Sequence, residues 1–148
     1  MRKLGLGIAI ICLTGFGAVA AEDALETRKA VMQSVGAAAG LAGGMMKGEI
    51  PYSPAAGKSA IASMNAAAAT FGDYLPAGSD AGDTTASPKI WEDAAGFKTA
   101  LAKFGTDTGA AMSASGKDGP ADLDAFKAAM GPVFANCKAC HEAYRVKK

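Results

Sequence analysis

The sequence predicts an all-α chain folded as an antiparallel up-down-up-down four-helix bundle, and three observations point there. Apolar residues recur in alternating steps of three and four through four stretches of the 148-residue chain, which is the spacing of a helix-packing seam. The stretches are joined by loops short for the helices they connect, which favours antiparallel neighbours. No stretch shows the period of a strand. Half of the composition is apolar and the formal charge is +1, as suits one globular domain, and no segment is basic enough for nucleic acid.

The chain opens with Arg2 and Lys3, the apolar run Leu4 to Phe16, and Ala18-Val19-Ala20. This order of charge, apolar core and small-x-small site predicts a signal peptide over residues 1–20, cleaved before Ala21. The run is shorter than the ~20 apolar residues of a spanning helix, so no membrane anchor is expected after processing. Cys12 follows bulky Ile11 inside the run and is expected to leave with it rather than carry lipid. The expected mature domain, residues 21–148, has 13 basic residues against 14 acidic.

Helix one is expected from Glu22 or Asp23, acids that suit a helix N-terminus, to about Lys47, with Gly48 as its stop. Its stripe reads Leu25, Arg28 or Lys29, Met32, Val35, Ala39, Ala42, Met46. Gly36 to Gly44 is nearly all Ala and Gly, which lowers helix propensity but permits close approach, in the core or between subunits. Ser53-Pro54 then gives helix two an N-cap serine and a proline at its first position. Ile61, Met64, Ala68, Phe71 and Leu75 carry it to Pro76.

After a Gly/Asp/Thr-rich loop, Ser87-Pro88 repeats the start signal. Helix three follows on Ile90, Ala94, Phe97, Leu101, Phe104, Thr108 and Ala111, with Trp91 beside the stripe. Helix four follows Pro120 on Leu123, Phe126, Met130, Val133, Cys137, Cys140 and Tyr144. Pro132 lies inside it and predicts either a kink or a late start.

The last of these stripes runs into Cys137-Lys138-Ala139-Cys140-His141. Cys-x-x-Cys-His is the spacing that attaches a c-type haem: two thiols add to the porphyrin vinyls and the adjacent imidazole takes one axial face of the iron. On a helix, residues three and four apart share a face, so the three groups converge. A thioredoxin-type pair needs a strand–helix setting that is not evident here. A structural zinc site would be a ligand short, because His141 is the sole histidine. Export is consistent with this, since both cysteines of the mature chain belong to the motif. In an antiparallel bundle His141 should face the level of Arg28, Met32, Phe71, Ile90 and Phe97.

Cys137 to Arg145 reads Cys-x-x-Cys-His-x-x-Tyr-Arg, and Arg28 and Met32 form Arg-x-x-x-Met in helix one. Lys47-Gly48-Glu49 precedes Pro51-Tyr52, and Pro88-Lys89-Ile90-Trp91 opens helix three. With these features the whole mature chain resembles the class II cytochromes c, the family of cytochrome c′ and its low-spin, methionine-ligated relatives. The resemblance implies a left-handed four-helix bundle with one covalent haem c near one end. It also implies a periplasmic location, and it is compatible with a homodimer packed through the first two helices. By the same resemblance, Cys137 and Cys140 carry the haem, His141 is the proximal axial ligand and Met32 stands over the distal face, as ligand or as lid. Arg28 matches a residue that meets a haem propionate, and Arg145 the basic residue beside the proximal imidazole; a solvated surface charge is the alternative for each.

Bundle register bears on the distal residue. Met45, Met46 and Met112 fall toward the far end, and Met130 stands about 16 Å from His141 at ~1.5 Å per residue. That leaves Met32 and Met64, of which Met32 lies four residues after Arg28 on the inward stripe. The expected function is a periplasmic carrier of one electron that meets redox partner proteins. The alternative is a five-coordinate cytochrome c′ that binds nitric oxide or carbon monoxide. A haem-free metal-binding or structural bundle fits the motif poorly. No nucleophile–base pair is recognisable, so an enzyme is not expected.

Overall fold

The computed structural model describes residues 16–147, so residues 1–15, most of the expected signal peptide, lie outside the described residues. The elements in order are α1 (Phe16–Lys47), α2 (Pro54–Thr70), a 3-10 turn (Phe71–Tyr74), α3 (Lys89–Glu92), α4 (Ala94–Ala114) and α5 (Leu123–Tyr144). Packing of α1 on α2, α2 on α4 and α4 on α5, with α5 closing against α1, makes the up-down-up-down bundle. None of the described helices is long and apolar enough to cross a membrane.

Start and stop signals act as their chemistry dictates. Ser53 Oγ accepts from the Ala56 amide, with Pro54 in the first helical position. Asp122 Oδ1 accepts from the Ala125 amide at 2.8 Å and so caps α5. Gly48 takes φ +78°, the left-handed stop that glycine adopts without a Cβ penalty, and the Glu49 amide reaches back to the Gly44 carbonyl oxygen.

Three details differ from the sequence expectation. Among the described residues helix one begins at Phe16 rather than Glu22 or Asp23, so the Ala-rich stretch read as a cleavage region continues the helix. The second helix tightens into the 3-10 turn at Phe71 instead of running to Pro76. Helix three divides, because Asp93 leaves helical geometry and its side chain accepts from the Gly96 amide, capping a new start. The fourth helix spans Leu123–Tyr144 with Pro132 inside it, so of the two outcomes expected there the late start does not occur. Asn136 Nδ2 donates to the Pro132 carbonyl oxygen at 3.0 Å within that helix.

The larger apolar cluster lies toward the end formed by the C-termini of α1 and α4 and the N-termini of α2 and α5. Met45, Ile61, Met64, Phe126, Met130 and Val133 are its largest side chains, all fully buried. Along α1 the buried positions become Val35, Ala38, Ala42 and Met45, one residue before the expected Ala39 and Met46, which pack at the cluster's edge.

Candidate functional site

A smaller cluster occupies the opposite end. Ile90, Phe97 and Tyr144 are its buried members, and Phe71, Leu75, Trp91, Leu101 and Cys140 pack against them. Phe97 meets Tyr144 edge-on at 5.3 Å between centroids and Phe71 at 6.4 Å. Leu75, Ile90, Trp91, Phe97 and Leu101 also line a cavity of about 420 Å³. Cys140 therefore lies in an aromatic, cavity-bearing environment, at the bundle level that the antiparallel register requires.

Cys137 and Cys140 are free thiols, both partly buried. Burial pushes both thiols up, and Cys137 adds to the effect at Cys140, so both are protonated near neutral pH. His141 follows on the exposed side of α5. Partial desolvation pushes its imidazole down, and the Arg145 guanidinium pushes it further the same way. A neutral imidazole is the form that ligates a metal, and the two thiols are the groups that form thioethers with the porphyrin vinyls. The donor set and the adjoining cavity fit a covalently held haem.

Two sets of contacts hold this end of α5 in place. Tyr144 donates its hydroxyl to Asp93 Oδ2 at 2.9 Å, while the Ser87 amide donates to the Tyr144 carbonyl oxygen at 2.9 Å. Beyond the helix, Ala86 and Arg145 form an antiparallel bridge, and the Val146 amide donates to the Thr85 carbonyl oxygen at 2.9 Å. About two turns before Tyr144, Asn136 Nδ2 donates to Asp107 Oδ2 at 2.6 Å, and Lys103 Nζ is 2.6 Å from that same oxygen. The haem motif is thus flanked by ties to α4 on both sides.

Arg28 reaches this end from α1. Its side chain is buried and donates to the Tyr74 carbonyl oxygen and to Ser79, with the guanidinium carbon 5.5 Å from the Trp91 ring centroid. Met32, one turn further along α1, is half-buried and belongs to neither apolar cluster. Ser79 and Asp93 carried no expectation from sequence. The acid pair Glu92-Asp93 before Ala-Ala-Gly is an N-cap signal that would have found Asp93.

A helical bundle with Cys-x-x-Cys-His on its last helix, beside an aromatic cavity, defines the molecule as a c-type haem protein. The family model for cytochrome c′ matches residues 23–145, and the chain belongs to that family. It is similar to cytochrome c-556 of Agrobacterium fabrum, 37% identical over 132 residues that make up 89% of this chain and 87% of the relative. The solved structure of cytochrome c′ from Rhodopseudomonas palustris superposes with a TM-score of 0.76 at 35% identity, covering 85% of this chain and 98% of that one. A nitric oxide complex of a single-residue mutant of cytochrome c′ from Alcaligenes xylosoxidans superposes at 0.74 with 34% identity, covering 86% and 97%. The cofactor of this chain is the covalent c-type haem, for which Cys137 and Cys140 are present.

Proposed function

We propose that the protein is a periplasmic one-electron carrier whose haem is attached through Cys137 and Cys140, with His141 as proximal axial ligand and Met32 as the ligand on the opposite face. The bound haem supplies an iron that passes between the ferric and ferrous states. Around it, α5 fixes the two thiols and the imidazole on one helical face, and Ile90, Trp91 and Phe97 exclude water. Such a site consumes no substrate. Its counterpart is a redox protein that takes or gives the electron. Export to the periplasm is supported by the order of residues 1–20.

One observation carries the six-coordinate reading. Met45, Met64 and Met130 are fully buried in the larger cluster, and Met46 and Met112 pack against it. Among the methionines of the described residues, Met32 alone is left outside both clusters, on α1 beside Arg28. Met64, the rival by helical register, is committed to core packing with no exposure. A thioether that is not filling the core is available as a soft sixth donor.

The second reading, binding of a diatomic gas, is favoured by the nitric oxide complex of the Alcaligenes xylosoxidans relative. In that case Met32 covers the distal face without bonding. The two readings part on substitution. Met32→Ala should convert a low-spin spectrum into a high-spin one and open the distal face to carbon monoxide. A variant whose spectrum and carbon monoxide affinity match the wild type contradicts ligation by Met32.

A further inference from the structure

Asn136 directly precedes Cys137 and is buried, at 8% relative exposure, where an amide needs hydrogen-bond partners. Both hydrogens of its Nδ2 have acceptors. One goes to the Pro132 carbonyl oxygen within α5, at 3.0 Å, and the other to Asp107 Oδ2 on α4, at 2.6 Å. Lys103 Nζ, on the exposed side, holds the same Asp107 oxygen at 2.6 Å. The next residue of α4, Thr108, is fully buried, and its Oγ1 lies 3.2 Å from Asn65 Oδ1 of α2. The level of α4 that receives Asn136 is therefore tied to α2 as well. None of these groups belongs to a residue assigned to the haem, so attachment of the cofactor uses none of them.

The contacts span a weak point of α5. Gly131-Pro132 lies one turn before Asn136, exposed and inside the helix. Proline has no N–H to donate to the Ala128 carbonyl oxygen and its ring crowds that carbonyl, while glycine adds backbone freedom. A helix bends most readily at such a place. The Asn136 side chain adds one bond across that turn, to Pro132, and a second to the neighbouring helix. Beyond the weak point lies the haem-bearing turn, whose far side is tied by the Tyr144 hydroxyl to Asp93 at 2.9 Å.

We propose that Asn136 is a positioning residue of the haem site: it braces α5 across Gly131-Pro132 against Asp107, and so holds the turn of Cys137, Cys140 and His141 at one setting relative to the bundle. The inference rests on the assignment of His141 as proximal ligand. Asn136 acts through that turn. Outer groups that orient an axial imidazole set the ligand field of the metal as well as the stability of the fold.

The experiment records the hyperfine-shifted proton resonances of the haem methyls and the His141 ring in the ferric holoprotein, with amide exchange alongside. It compares wild type, Asn136→Ala, Asp107→Ala, and Asn136→Ala combined with Pro132→Ala. Asn136→Ala should move these resonances and speed exchange of amides 137–144 by about tenfold, the weight of one buried hydrogen bond to a charged group, with exchange at Ile61 and Phe126 unchanged. Asp107→Ala should move the same resonances in the same sense. Adding Pro132→Ala to Asn136→Ala should return them toward the wild-type pattern, because a helix with its backbone bond restored needs no brace. Resonances that stay in place in Asn136→Ala while its denaturant midpoint falls would show a merely structural bond and overturn the proposal, as would a Pro132→Ala addition that restores nothing. If Asn136→Ala does not fold, Asp107→Ala decides by the same resonances. A ferric wild type whose His141 ring carries no hyperfine shift instead overturns the ligand assignment, and the inference with it.

Discussion

Gly119 shows how narrowly a single position can be specified. It sits at φ +104°, and a Cβ built there would collide with the backbone carbonyl of Pro54. Tyr52 closes the same end by donating its hydroxyl to the Pro120 carbonyl oxygen at 2.5 Å, and Lys58 Nζ donates to the Gly116 carbonyl oxygen at 2.8 Å. Gly119→Ala should therefore destabilise the fold by at least about 1–3 kcal/mol, the scale of a strained left-handed residue, read as a lower denaturant midpoint at unchanged slope. Asp107 gives a pH prediction. Hydrogen bonds from Lys103 and then Asn136 hold its carboxyl below the ordinary value, so its contribution is full above the unfolded pKa and is lost as pH falls through the folded one. Asp107→Asn should flatten the acid limb of the stability curve below about pH 4; an identical limb would contradict the pairing. Cys137, Cys140 and His141 can be named as candidates from sequence because their spacing is local to about one helical turn. Ser79 cannot, because its role depends on a loop that brings it to Arg28 from 51 positions away.

Helices were legible wherever one apolar stripe persists, as in α5, whose Phe126, Met130, Val133 and Tyr144 are all buried. The stripe says nothing about a break that keeps the same face inward. Ile90 and Phe97 are both buried although Asp93 interrupts the helix between them. That interruption is used. Asp93 caps α4 with one carboxylate oxygen and accepts the Tyr144 hydroxyl with the other, tying the start of α4 to the turn after His141. Tyr144→Phe and Asp93→Ala should each cost about 1 kcal/mol, for one hydrogen bond and one cap, and the double variant should cost less than their sum. Strict additivity in a denaturant cycle would mean that the two groups do not interact. The bridge between Ala86 and Arg145 had no periodic signal, since one pair of residues is too short to show one.

At the scale of the molecule, the two apolar clusters are unequal. The larger one buries big side chains of α1, α2 and α5, with Ala111 from α4, whereas the one beside Cys140 has Ile90, Phe97 and Tyr144 as its buried members. The antiparallel topology was legible from loop length and register. The imbalance was not, because composition does not say where along a bundle the large residues meet. It predicts that replacing Cys137 and Cys140 by Ala loosens one end selectively: amides near Phe97 and Tyr144 should exchange much faster than those near Ile61 and Phe126. Uniform protection in that variant would show that haem is not part of the packing. The central claim is that His141 and Met32 together hold a six-coordinate iron that carries electrons. It is tested most directly by the visible absorption spectrum of the reduced wild-type protein, recorded before and after carbon monoxide is added. A low-spin spectrum with sharply split visible bands that carbon monoxide leaves unchanged is the expected result. A high-spin spectrum that shifts readily on addition of the gas would contradict the claim and make the molecule a gas binder with Met32 as its lid.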